Sequence, residues 1–161
     1  MKAGVATISR VQVEQEKTRV YAPLNSSGEM EWKELNAALC RVMQNYCGEY
    51  KNEELLQIGL IWLEDLQKNE GPRVCADNPH KLMRTLEVFN ILMCDEIILH
   101  SSMARKASSQ YLDFFRLDFP EIDPPEWHQW VTVKREDGTV KTGELPIDFW
   151  GPLKENYEKH R

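Results

Sequence analysis

The side chains with the most chemistry to offer lie between residues 100 and 123. They are Arg105-Lys106, Ser108-Ser109, Arg116 and Asp118. A serine becomes a nucleophile only beside a positioned base and acid. Neither Ser101-Ser102 nor Ser108-Ser109 stands in a recognisable Ser/His/acid pattern with His80, His100, His128 or His160, so these hydroxyls read as helix caps and surface groups. Arg105 and Lys106 close a long helical stretch, where the negative end of the helix dipole favours cations. Two readings of Arg105, Lys106, Ser108, Arg116 and Asp118 stand side by side: dipole complementation with surface ion pairs, or a polar seam that docks onto another surface.

Metal and nucleotide chemistry find little support. The four cysteines, Cys40, Cys47, Cys75 and Cys94, form no C-x-x-C pair, the local unit of zinc ribbons and iron–sulfur loops. Cys40 and Cys47 on one helix would stand about 10 Å apart, too far for a disulfide. Reduced, mostly buried thiols of a cytoplasmic protein are the plain expectation. Glu96 and His100 share an i, i+4 spacing, but two ligands do not make a site, so an ion pair or half-buried histidine is expected. The eight glycines are scattered and show neither GxGxxG nor GxxxxGK[ST], so no nucleotide site of its own is legible. The chain is expected to hold no catalytic, cofactor or metal site.

Charge narrows the partners. Twenty Lys and Arg against 26 Asp and Glu give a net of -6 over 161 residues. A nucleic-acid binder needs a basic face to displace counterions, and anionic membranes repel such a chain. No apolar run approaches the roughly 20 residues that span a bilayer. The segment Met1 to Thr7 lacks the apolar core of a secretory signal, which points to the cytoplasm.

These groups must be positioned by helices. The first twenty residues show no helical stripe and read as an extended arm, followed by a loop over 22–28. Ser26 and Glu29 have capping-box spacing, so a helix is expected to start there. Trp32, Leu35, Leu39, Val42, Met43 and Tyr46 give it one apolar face, and Gly48 is a stop. Asn52 caps a second helix, with Glu53 and Glu54 at its positive end. Leu55, Leu56, Gly59, Leu60, Leu63 and Leu66 line that helix, and Gly71-Pro72 ends it. Gly59 costs up to about 1 kcal/mol against Ala in mid-helix, which a close helix–helix approach would offset. Asn78-Pro79 opens a third helix that meets no breaker until about Ser108. It is apolar on two sides, so it should lie between the others. Beyond Gln110 the prolines forbid a long helix. Val131-Thr132-Val133 alternates, and Asp137-Gly138 signals a hairpin turn.

The fold expected is therefore mainly α: an antiparallel three-helix bundle of the spectrin-repeat kind over 26–112. An extended arm or linker occupies 1–25. An aromatic loop, a small β-hairpin and an irregular tail with Pro146 and Pro152 occupy 113–161 and pack on the bundle.

Residues 103–120 (Met-Ala-Arg-Lys-Ala-Ser-Ser-Gln-Tyr-Leu-Asp-Phe-Phe-Arg-Leu-Asp-Phe-Pro), followed by Asp123 and Trp127, resemble the helical C-terminal domain of the succinate dehydrogenase/fumarate reductase flavoprotein family. The branch that includes the adenylylsulfate reductase alpha subunit is the nearest. That family ends a long helix in A-R-x-E-S-R, then has an aromatic turn containing His, then R-x-D-[YF]-P, acidic residues and a Trp. Arg105, Ser108, Arg116, Asp118 and Pro120 match. Val20 to Leu24, Leu35 to Gly48 and Gly59 to Leu66 resemble earlier pieces, so the likeness covers roughly 18–145.

The resemblance implies a non-catalytic accessory domain of an FAD-dependent oxidoreductase. FAD would sit in the flavoprotein it joins, not in this chain. Its partner would be a flavin-binding domain or subunit in the same or a separate chain, with an iron–sulfur subunit as a further neighbour. The interface candidates are Arg105, Lys106, Ser108, Arg116 and Asp118. The sequence departs from the family where Ala107 and Ser109 replace Glu and Arg, and where Phe114 stands in place of His. The competing reading is a helical protein-interaction module with no redox role.

Overall fold

The computed structural model describes residues 8–137, 139–147 and 155. Within them the order is α1 (Arg10–Asn25), α2 (Trp32–Tyr46), β1 (Tyr50–Lys51), α3 (Glu53–Asp65), α4 (Pro79–Ala104), β2 (Phe115–Arg116), β3 (Gln129–Glu136) and β4 (Thr139–Pro146). A π turn over Leu66–Glu70 and a 3-10 turn over Gly71–Arg73 follow α3.

The expected extended arm is corrected: most of it is helix α1. Ser9 Oγ accepts from the Gln12 N–H at 3.1 Å and Gln12 Oε1 accepts from the Ser9 N–H at 2.9 Å, a complete capping box. Glu14–Lys17 and Glu16–Arg19 pair at i, i+3 spacing along it. The helix is held by its cap and by side-chain pairs rather than by an apolar face, since Pro23 is its one buried residue. A search for a hydrophobic stripe passes over such a helix.

The start of α2 is also corrected, from Ser26 to Trp32, with the Glu31 N–H donating to Glu34 Oε2 at 2.7 Å. Ser26 caps a turn instead, its Oγ accepting from the Gly28 N–H at 3.1 Å. A Cβ on Gly28 would lie 1.8 Å from the Arg73 carbonyl oxygen, so only glycine permits this backbone approach. Beside it the Cys75 N–H donates to the Met30 carbonyl, and the Ala76 N–H to the Pro23 carbonyl. The segments leading into α2 and α4 are thereby tied together.

Both later caps form as the sequence indicates. Asn52 Oδ1 accepts from the Leu55 N–H and Asn78 Oδ1 from the Lys81 N–H, each at 2.9 Å. Helix α4 stops at Ala104, short of the expected Ser108, because Arg105 turns to extended backbone. Helices α2, α3 and α4 pack against one another, and α1 packs on α4. Their shared core is Leu35, Leu39 and Val42, Leu56 and Leu63, and Val88, Leu92 and Leu99, closed by Val74. A Cβ on Gly59 would come within 3.0 Å of Tyr46 Cβ and 3.3 Å of the Leu99 methyls. That is the close approach for which a glycine was expected.

Strand β1 pairs in parallel with β2, Tyr50 opposite Phe115 and Lys51 opposite Arg116. The Tyr50 and Phe115 rings stack with centroids 5.1 Å apart. The antiparallel hairpin β3–β4 runs from Gln129 opposite Pro146 to Glu136 opposite Thr139. Asp137 takes φ 50 at its turn; Gly138 and Pro152 lie outside the described residues. The hairpin leans on α4, where Arg135 Nη2 forks onto Glu96 at 2.6 and 2.7 Å. Glu96 is thus spent on Arg135, not on His100. All four cysteines are free; Cys40 and Cys94 are exposed and Cys47 and Cys75 half-buried, which corrects the expectation of mostly buried thiols. No helix of the described residues is long and apolar enough to cross a membrane.

Candidate functional site

The last turn of a helix leaves carbonyls without partners. At the end of α4 one guanidinium takes them. Arg116 Nη1 donates to the carbonyls of Ser102 at 2.6 Å, Met103 at 3.1 Å and Arg105 at 2.8 Å. Its Nε and Nη2 fork onto the two oxygens of Asp118 at 2.8 and 2.7 Å. Asp118 also accepts from the Glu53 N–H, at the first residue of α3, at 3.0 Å. The positive start of α3, the Asp118 carboxylate, the Arg116 guanidinium and the negative end of α4 therefore alternate in sign. The Arg116 side chain is fully buried. The guanidinium, and to a lesser degree the Glu53 N–H, hold the Asp118 carboxyl down at about 2.

Ser108 fixes the loop that delivers Arg116. Its hydroxyl accepts from the Arg116 N–H and donates to the Phe119 carbonyl, both at 2.8 Å. Ser109 and Phe114 exchange backbone hydrogen bonds across a turn whose tip, Asp113, sits at φ 47. Short polar Asp tolerates that left-handed conformation better than most side chains.

Beside this clamp runs a groove of about 600 Å³. Its walls are the end of α4, the 109–114 turn and the 127–131 segment, with Phe114, Trp127, Trp130 and Arg105 among its lining residues. Arg105 is half-buried. Its guanidinium carbon lies 5.8 Å from the Phe114 ring centre and 6.0 Å from that of Trp127. Nη1 makes one long bond, 3.5 Å, to the Trp127 carbonyl, and the buried Nε has no partner among the described residues. Lys51, also buried, places its ammonium 4.1 Å from the Phe114 ring centre and donates to the Glu49 carbonyl. Burial, and then the nearby Arg116, push the Lys51 ammonium below its ordinary value. A second groove, of about 450 Å³, lies among α1, α4 and the hairpin. Its charged groups are already paired, Arg135 with Glu96 and Arg19 with Glu16, so it offers an apolar slot rather than a receptor.

The sequence carries a match to the family described as "Fumarate reductase flavoprotein C-term", over residues 36–157. The chain belongs to this family. Solved structures share its fold. An E. coli quinol fumarate reductase FrdA chain is 24% identical, superposes with a TM-score of 0.72, and matches over 89% of this chain and 26% of that one. An adenosine-5-phosphosulfate reductase in complex with sulfite is 22% identical at a TM-score of 0.79, over 88% of this chain and 25% of that one. A quinol–fumarate reductase with menaquinol is 26% identical at 0.74, over 91% and 26%. The chain thus spans about a quarter of the length of the structures it matches.

Against that background the five sequence candidates separate. Lys106 is exposed and Arg105 half-exposed to the groove. Ser108 and Arg116, 1% exposed each, are corrected from an exposed seam to interior groups, because the unpaired carbonyls of α4 draw the guanidinium inward. Asp118 is fixed to both Arg116 and α3. Ala107, Ser109 and Phe114 gather in the same place: Ala107 and Ser109 are buried, and the Phe114 ring lies close to both the Arg105 and the Lys51 cations. Lys51 escapes notice in the sequence, because nothing local marks it: it joins this region only through its pairing with Arg116.

Proposed function

We propose that this chain serves as the helical C-terminal domain of an FAD-dependent oxidoreductase of the fumarate reductase/succinate dehydrogenase type. In this reading it carries no catalytic group or cofactor itself. It packs on the flavin-binding part of the enzyme, in the same or a separate polypeptide, and shapes contacts with neighbouring subunits, an iron–sulfur subunit among them. The observation that carries the reading is the family match over 36–157 on a chain a quarter as long as its structural relatives. The aromatic groove with a poorly satisfied arginine at the end of α4 supports it, as a surface built to be covered. Arg105 and Lys106 are the side chains that would meet the partner. Four free cysteines fit a reducing compartment, the cytoplasm.

The test is co-elution. The chain, purified alone, should be colourless. Mixed with the FAD-loaded flavin-binding polypeptide of the same organism, it should migrate with the visible flavin absorbance on gel filtration. Stoichiometric flavin on the chain alone would overturn the reading. Absence of co-elution would favour a helical interaction module with no redox role.

A further inference from the structure

We propose that the groove at the end of α4 is the seat of a carboxylate-bearing segment of the flavin-binding polypeptide, with Arg105 as its receptor. The proposal rests on the reading above and adds to it a place and a chemistry. Arg105 is a guanidinium held ready for a partner. The ring centres of Phe114 and Trp127 lie 5.8 and 6.0 Å from its guanidinium carbon, within the range of cation–π attraction, an interaction that does not consume the N–H donors. That edge is under-used: one long bond to the Trp127 carbonyl, a buried Nε without an acceptor, and no bond from Nη2 among the described residues. A guanidinium fork matches a carboxylate in two parallel bonds.

The other titratable groups in the groove do not supply that anion. Asp123 accepts from the Gln110 N–H at 3.3 Å, and no carboxylate of the described residues lies within salt-bridge distance of Arg105. His128 also lines the groove and offers no negative charge. Lys51, buried against Phe114, adds a second cation that has no carboxylate within salt-bridge distance among the described residues. The rim is apolar and open: Tyr111 is 93% exposed, Leu112 66% and Trp130 56%. An aromatic rim around one orienting charge is the usual anatomy of an interface centre. The occupant comes from the flavin-binding polypeptide because the relatives carry about three quarters of their length beyond the part matched here.

The experiment titrates the immobilised chain with the FAD-loaded flavin-binding polypeptide of the same organism. Four versions are compared: the parent, Arg105→Gln, Tyr111→Glu and Ile61→Glu. Tyr111→Glu places a carboxylate on the rim without touching the interior. Ile61, 60% exposed on α3, lies outside the groove. The proposal expects Arg105→Gln and Tyr111→Glu each to weaken binding about 30-fold or more, with Ile61→Glu near parent. Added salt should then weaken the parent more than Arg105→Gln. Should Arg105→Gln melt early, Tyr111→Glu decides the matter. Parent-like binding by both groove variants overturns the groove assignment while leaving the domain reading intact. Loss confined to Ile61→Glu overturns it in favour of α3. Failure of the parent itself to bind overturns both.

Discussion

At the scale of single residues, Arg116 decides the most. Truncating one member of a buried, hydrogen-bonded ion pair strands the other and here also uncaps α4. Arg116→Leu is therefore expected to destabilise the chain by about 3–5 kcal/mol in urea melts. A loss below about 1 kcal/mol would place the carbonyls of Ser102, Met103 and Arg105 in water's care instead. Asp118 adds a pH signature. Its carboxyl falls from an ordinary 3.8 to about 2 in the folded chain, so folding favours the ionised form. The stabilisation is complete above the unfolded value and drains away as pH drops through 3.8 toward 2. Asp118→Asn should flatten the acid limb of stability over that window, and an unchanged limb would assign the slope to other carboxylates. Lys51 presents the opposite case, a buried cation disfavoured by its site. Lys51→Met is expected to leave stability within about 1 kcal/mol of the parent or to raise it. A larger loss would show that the Glu49 carbonyl and the Phe114 face outweigh desolvation. Residue types left the choice between helix-end pairing and a docking seam open. An R-x-D-F-P string looks the same whether its charges face a partner or cap a helix, and the contact that settles it, Asp118 with the Glu53 N–H, joins residues 65 positions apart.

At the scale of elements, sequence reading works where the cause is local and apolar. The Asn52 and Asn78 caps, the stripes of α2 to α4 and the Asp137 turn are all written within a few residues. Helix α1 is missed because its causes are a cap and charge pairs, each worth a few tenths of a kcal/mol to about 1 kcal/mol, with no apolar face to count. The start of α2 is missed because Ser26 has two possible uses. The one it takes, closing a turn onto Gly28, depends on Arg73 lying 1.8 Å from where a Cβ would stand. Gly59 was legible as a question, and the structure answers it. Alanine there would gain up to about 1 kcal/mol of helix propensity but would press on Tyr46 and Leu99, and overpacking costs about 1–3 kcal/mol. Gly59→Ala is expected to lower the thermal midpoint. A rise would mean that α2 and α4 can part at little cost.

At the scale of the whole chain, the surface is the unusual feature. Tyr111, Leu112 and Trp130 rim the groove, while Ile61 and Trp62 stand out from α3. Single exposed hydrophobics are ordinary, but aromatic groups gathered around one under-satisfied arginine are the mark of a surface meant to be covered. An anionic naphthalene dye combines the two properties such a groove selects, an aromatic body and a negative charge. The isolated chain, fully folded by circular dichroism, is expected to enhance the fluorescence of that dye. Tyr111→Glu should abolish most of the signal by repulsion, whereas Ile61→Glu should leave it. Native thiols give an independent check that the chain is folded under the same conditions. Exposed Cys40 and Cys94 should react fast, and half-buried Cys47, whose thiol burial pushes up, should lag until denaturant is added. Dye enhancement together with uniformly fast thiols would signal a loosened core rather than a groove. Enhancement with two fast and two slow thiols would locate the binding on the folded surface, and its removal by Tyr111→Glu would locate it beside Arg105.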